Sequence, residues 1–267
     1  MYQFKGVTLG ADPEIFFIQR GQPKSVEGLV GGTKDEPLQM EGLPEGFCVQ
    51  EDNVAAEFNI PPAATFEEFD RALYRGVAYI SKIAKAHKCK LALVSAMHFS
   101  MKELDTPHAQ MLGCDPDFNA WTVTKNPRPE PPPSLRTAAG HVHIGWYKPA
   151  NEEKVDVARA FDVFNVLPSI LITEKNERRS LYGKAGACRP KAYGVECRAL
   201  DNFWIGEKRW RAGVWNNTMD MLQKFRTMGG IFSDQIQNYG EDIQEAINSH
   251  NKEDCALLMQ KFGVKEW

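Results

Sequence analysis

Four short segments of the chain place acids, imidazoles or a guanidinium at every second position. Gly10-Ala-Asp12-Pro-Glu14 holds two carboxylates, and Glu51-Asp52-Asn53-Val-Ala-Ala-Glu57 holds three more acids. His141-Val-His143-Ile-Gly145 pairs two imidazoles, and Glu196-Cys-Arg198 pairs an acid with a guanidinium. Residues i and i+2 of a strand share a face, so each segment presents its chemistry on one side. Within 51–60, Val54, Ala56, Phe58 and Ile60 are apolar and suit a core. That turns Glu51, Asn53 and Glu57 the other way. It leaves Asp52 out of phase unless it precedes the strand or sits at a bulge. A single segment of this kind is most simply a solvated strand face. Several acids and two histidines on one sheet face, however, repel one another unless a divalent cation compensates. Oxygen donors with an occasional imidazole favour Mg2+ or Mn2+ over zinc.

A second ingredient is positive charge. Between Glu177 and Lys191 the chain carries Arg178, Arg179, Lys184, Arg189 and Lys191, with glycines and small residues that predict a loop. Alone this is a solvated charge run. Beside a carboxylate–metal face it fits a phosphate clamp, in which metal ions bridge phosphate oxygens while Arg and Lys neutralise the transferred group. No Walker A motif and no kinase Gly-x-Gly-x-x-Gly loop is present, so a nucleotide needs a different scaffold.

Strands are expected near 13–19, 47–60, 90–96, 140–147 and 192–200. Thr65 and Glu68 form a capping-box pattern ahead of an amphipathic helix over 66–87. Asn151 can cap a second helix that bends or stops at Pro168. A third runs from about Glu207 to Met228 and ends at Gly229-Gly230, and 241–262 reads as two short helices. Strands and helices do not alternate in a βαβ rhythm, and several strands are half polar. The expected class is therefore α+β with an antiparallel sheet. The proline-rich segment 126–134 reads as a surface loop or a lid. Residues 1–267 are read as a single domain with a helical C-terminal segment from about 207. Phe203, Trp204 and Trp121 suit buried packing or a pocket wall.

The chain has 267 residues, 43% hydrophobic and 25% charged, with a net charge of −3. These values argue against disorder, a membrane bundle and a dedicated nucleic-acid binder. Six cysteines (48, 89, 114, 188, 197 and 255) form no Cys-x-x-Cys pair. With no secretory signal in residues 1–10, this predicts reduced thiols in a cytoplasm.

The motifs at 10–14, 52–59, 136–145, 182–186 and 193–204, in this order, resemble those of the phage-type carboxylate–amine ligases. These are amidoligases of the glutamine synthetase and glutamate–cysteine ligase superfamily. The resemblance spans roughly residues 7–205. It implies a curved antiparallel sheet funnel with helices on its outer face, holding Mg2+ (or Mn2+) and ATP. It also implies formation of an amide or peptide bond through an acyl phosphate. By this resemblance Asp12 and Glu14 bind separate metal ions, and Glu57 is a second-strand ligand with Glu51 or Asp52 as partner. His141 and Glu196 are further ligands, and His143 lies near the nucleotide phosphates. Arg198 contacts phosphate or substrate, and Arg178 and Arg189 stabilise the γ-phosphate, with Lys184 also on the nucleotide. The implied partners are small-molecule or peptide carboxylates and amines, and homo-oligomers are common in the superfamily. The implied location is the cytoplasm, of a host cell if the chain is phage-encoded. Two other readings stay open: a zinc or iron enzyme using His141, His143 and a carboxylate, and a noncatalytic scaffold of the same fold.

Overall fold

The structure, a computed structural model, describes residues 2–111 and 117–267; Cys114 lies outside the described residues. Its strands are β1 (Thr8–Ala11), β2 (Glu14–Gln19), β3 (Gln22–Lys24), β4 (Leu38–Gln39), β5 (Cys48–Asp52), β6 (Ala55–Asn59), β7 (Lys90–Ala92), β8 (Ala96–His98), β9 (Phe118–Asn119), β10 (Thr124–Lys125), β11 (Leu135–Thr137), β12 (Val142–Gly145), β13 (Ala187–Lys191) and β14 (Gly194–Cys197). Its helices are α1 (Phe66–Ala86), α2 (Pro107–Gln110), α3 (Asn151–Phe161), α4 (Leu167–Ile172), α5 (Lys208–Met228), α6 (Gly230–Asn238), α7 (Gly240–Ser249) and α8 (Lys252–Phe262).

The named strand pairings are antiparallel. One sheet has the order β1-β12-β14-β13-β9-β10, and another has β3-β2-β6-β5-β4 with β7 also on β2. β8 and β11 form a separate pair. The two large sheets are joined because the chain passes from β1 to β2 through Asp12-Pro13 while 55–63 runs beside both halves. Leu9 and Ala63 exchange two backbone hydrogen bonds, Ile60 N–H donates to Ala11, and Phe58 N–H donates to Pro13. The result is a mixed helix-and-sheet fold with a curled antiparallel sheet.

Alternation sorts the two faces. Ala11, Val142, Cys197 and Cys188 are cross-strand neighbours and all buried. Behind them α3 packs on β13 and β14, and α1 packs on β1 and β6. The Thr65–Glu68 capping box closes the N-terminus of α1, whose Phe69, Leu73, Ile80 and Ala84 are buried. Gly76 permits the contact with the sheet: a Cβ there would lie 2.1 Å from the Phe58 ring. The five described cysteines are free thiols. No helix of the described residues is long and apolar enough to cross a membrane.

Several local expectations are corrected. The single strand expected over 47–60 is a hairpin, because Asn53 adopts φ +56° and reverses the chain between β5 and β6. Asn tolerates this left-handed conformation at low cost. The strand expected over 90–96 divides into β7 and β8, which belong to different sheets. Arg189 and Lys191, expected in a loop, lie on β13. Pro168 does not stop the second helix: a π-helical turn at Asp162–Val166 precedes it, and Pro168 falls in the first turn of α4, where its missing N–H costs little. Gly229 ends α5 with φ +59° as expected, but Gly230 opens α6, a helix that hydrophobic periodicity did not announce.

Candidate active site

The register of four strands assembles most of the expected residues. Gly10, His143, Glu196 and Arg189 form one cross-strand row over β1, β12, β14 and β13. Two positions along, the same alternation brings Asp12, His141 and Arg198 together. His143 Nε2 lies 2.8 Å from Asp12 Oδ1, and His141 Nδ1 lies 3.3 Å from the same oxygen. Arg198 pairs with Glu196 and lies 3.4 Å from Asp117. Lys191 Nζ is 2.8 Å from Glu196 Oε2, and Arg189 Nη1 is 3.5 Å from Glu196 Oε1. One oxygen or nitrogen from each of Asp12, His143 and Glu196 falls within 4.8 Å of the other two.

The neighbouring sheet supplies a second group. Glu14 and Glu57 are cross-strand partners on β2 and β6, and Gln50 on β5 is the partner of Glu57. Because the chain reverses at Asn53, Asp52 shares the face of Gln50 and Glu57. Oxygens of Glu14, Asp52 and Glu57 lie within 4.8 Å of one another. Glu51 points away from this group: its Oε1 accepts the N–H groups of Val30 and Gly31 at 3.0 and 2.7 Å. Of the two residues left open as partner to Glu57, the structure brings in Asp52 and takes out Glu51.

The electrostatics of the groups differ. Burial, and then the Asp52 charge, pushes Glu14 up to about 8. Burial and the charges of Asp12, Asp52 and Glu14 hold Glu57 well above the usual carboxylate range, although Gln50 donates to its Oε2 at 2.9 Å. Burial raises Asp52 as well. Burial is the largest influence on Glu196 and opposes its ionisation, but Arg198 together with His141 and His143 outweighs it and brings Glu196 down to about 2. Asp12 is likewise buried, yet His143 and His141 hold it well below its ordinary value. Burial and the adjacent Arg198 push His141 down to about 4, so at neutral pH it is an uncharged imidazole.

Both groups fit a divalent cation. Three converging carboxylates with raised proton affinity form an all-oxygen donor set. In the other group, Asp12 Oδ1 and His143 Nε2 are buried and find no well-directed hydrogen bond. The acid group opens onto a cleft walled by Arg198, Arg178 and Tyr182, with Pro131 of the proline-rich segment on its rim side. A second, mostly apolar groove lies beside the imidazole group, between Gly10, Gly145, Ile60, Pro62 and Tyr193.

The remaining expected residues are placed differently. Arg178 is 1% exposed; its guanidinium donates to the Arg198 and Ala199 carbonyls and to Asp201. Arg179 is held in the same way by Gly183, Ala199 and Asp201. These two arginines lock the 177–180 turn onto the sheet. Lys184 is exposed on the turn before β13. Trp204 is fully buried, donating to the Gly140 carbonyl, and stacks on Phe69, so it packs the core. Sequence reasoning missed Gln50, Asp117, Asp201 and the hydroxyl of Tyr193. Only the last two fall in a motif that had been noticed.

No family model and no curated protein matches the chain. Among solved structures, apo GmaS without ligand aligns at 12% identity and a TM-score of 0.44, covering 96% of this chain and 68% of that one. A GmaS/ADP complex aligns at 11% identity and a TM-score of 0.40, covering 98% of this chain and 71% of that one.

Proposed function

We propose that the protein is an ATP- and Mg2+- or Mn2+-dependent carboxylate–amine ligase, an amidoligase of the kind its motifs resemble. The observation that carries this reading is the pair of buried acid groups on one curled sheet face, one of them lined by Arg198, Arg189 and Lys191. A carboxylate is a poor electrophile because oxide is a poor leaving group. In the proposed reaction a substrate carboxylate oxygen attacks the γ-phosphorus of ATP and ADP departs. An amine then attacks the acyl carbon, loses a proton, and phosphate leaves with the C–O electron pair.

Glu14, Asp52 and Glu57 would hold one cation, and Asp12, His143 and Glu196 the other. Bound there, the cations would supply charge neutralisation to the phosphate oxygens. Arg198, Arg189 and Lys191 reach the same place from β14 and β13 and would neutralise charge on the transferred phosphoryl group. The resemblance assigns Arg178 to the γ-phosphate. Its bonds to the Arg198 carbonyl and Asp201 support instead a role in holding Arg198 in place. The resemblance makes His141 a ligand and puts His143 near the phosphates; the grouping of His143 with Asp12 and Glu196 supports the exchange of these roles, in which neutral His141, 2% exposed, would orient Asp12. Pro131 and Tyr182 border the cleft, so the proline-rich segment and the turn at 182–186 suit a cover that keeps water from an acyl phosphate. The all-oxygen acid group favours this reading over a zinc or iron enzyme.

Purified protein with ATP and Mg2+ should release phosphate only when a carboxylate and an amine are supplied together. A broad acid and amine panel with no turnover, together with no ATP binding by calorimetry, would overturn the proposal.

A further inference from the structure

Tyr193 lies in the tight connection between β13 and β14. Gly194 makes that connection possible: its φ is +156°, and a Cβ there would sit 2.0 Å from the Ile144 carbonyl oxygen. The Tyr193 carbonyl accepts the Trp146 N–H at 3.0 Å, so the turn is tied to the end of β12. This fixes the Tyr193 ring over the imidazole of His143, with ring centroids 5.9 Å apart and planes inclined by 29°. The phenol oxygen is hydrogen-bonded to His143 Nδ1. The other ring nitrogen, Nε2, faces Asp12 Oδ1.

A ring nitrogen binds a metal only through a free lone pair, and the proton of a neutral imidazole must then be on the other nitrogen. A partner on that other nitrogen selects the tautomer and fixes the ring plane. Tyr193 is placed to do this. Its oxygen can accept from Nδ1–H, and it can also donate when the roles reverse. Phenylalanine could preserve the ring contact but not the choice of tautomer.

We propose that Tyr193 is a positioning residue for the cation of the Asp12–His143–Glu196 group: its phenol oxygen holds the imidazole proton on Nδ1 and leaves Nε2 directed at the ion. This rests on the cation assignment under the proposed function and adds to it a residue outside the ligand group, acting through His143. It also ties the apolar groove to the ion, because Tyr193 is both a wall of that groove and the partner of His143. A flat ring entering the groove would press on the side chain that orients the ligand.

Mn2+ binding followed by electron paramagnetic resonance tests the proposal without any turnover. The wild-type protein should bind two ions of distinguishable affinity. Tyr193→Phe should weaken one class roughly 10–100-fold, the range for loss of a partner behind a metal-bound histidine, and leave the other class unchanged. Glu57→Gln should do the converse. Tyr193 is 45% exposed, so loss of one oxygen leaves the fold intact, and a matching thermal melt checks this. Nitrogen-15 spectra of the Mg2+-saturated protein should show His143 protonated on Nδ1 in the wild type and not uniformly so in Tyr193→Phe. Two Mn2+ classes with unchanged affinities in Tyr193→Phe would overturn the positioning role while leaving the ligase reading standing. A wild-type protein that binds no Mn2+ would overturn both.

Discussion

The two acid groups on the curled face are neighbours with opposite partners. Glu14, Asp52 and Glu57 are bonded to neutral donors: the Ala139 amide, the Asn53 side chain and the Gln50 side chain. Asp12 and Glu196 face His143, Arg198, Lys191 and Arg189. Burial is common to both, so the partners decide the sign of the shift: Glu14 goes up to about 8 and Glu196 down to about 2. The first group would need an added cation to balance three ionised carboxylates. The second carries its own positive charge, which an arriving phosphate could share. A site with one half short of positive charge and one half supplied with it suits a metal-chelated polyanion better than either half alone.

The largest expected effect falls on the supplied half. Arg198 is buried and faces both Glu196 and Asp117. Arg198→Ala leaves buried carboxylates without that partner and should cost roughly 3–5 kcal/mol in urea unfolding at pH 7. A loss below about 1 kcal/mol would mean that Lys191 and Arg189 suffice, and the contrast between the halves would weaken.

Next comes pH. A carboxylate whose folded pKa is raised holds its proton more tightly when folded. Its stabilising effect is greatest below the unfolded value, near 4.5, and is lost as pH rises through the folded value. With EDTA present, the melting temperature should therefore fall as pH rises from about 4.5 to about 8, the span set by Glu14. A fall on the order of 5–10 °C is expected, recovered by Mg2+ and flattened in Glu14→Gln. Asp12 and Glu196 act in the opposite sense. The lowered value of Glu196 stabilises the fold above about 4.5, and that contribution is lost as pH falls toward about 2; Asp12, also lowered, acts in the same direction. Scanning calorimetry across pH, with and without Mg2+, separates the two limbs. A metal-free melting temperature that does not fall between pH 4.5 and 8 would remove the basis for a half short of positive charge.

The smallest effect is at Lys191, whose side chain is one-third exposed. Lys191→Met should change stability by less than about 1 kcal/mol, because the Lys191 end is solvent-accessible and Arg198 and Arg189 remain on Glu196. Its effect should show in nucleotide affinity, as a several-fold rise in KM for ATP with little change in kcat. An unchanged KM would restrict Lys191 to neutralising Glu196.

Alternation made much of this face legible in advance. His141, His143, Glu196 and Arg198 could be read because β12 and β14 are regular and their apolar positions are unambiguous. Long periodic helices such as α1 and α5 were equally plain. The second strand was misread because parity carries through a strand only while the chain stays extended. One left-handed residue, Asn53, exchanges the faces and with them the roles of Glu51 and Asp52. Arg189 was assigned to a loop because the glycines and small residues before it resemble turn chemistry. Pro190 is tolerated on β13 opposite Val195, across the short connection to β14, while Ala187 and Cys188 pair with Asn119 and Phe118 of β9, a long-range pairing invisible in local composition. Gln50 had no signal at all: an amide matters here only because Glu57 is brought opposite to it by the hairpin.

Asp12 and Glu14 are two residues apart on one chain, yet each serves a different group. The Asp12-Pro13 break between β1 and β2 is what divides them. The spacing between the groups is thus set along the main chain, about 6–7 Å for two extended residues, and not by how tightly the helices pack behind. Loosening the molecule by heat or mutation should blur the walls of the cleft well before it changes this ruler. Inserting or deleting a single residue at Pro13 would recalibrate it at once, whatever happened to the rest of the fold.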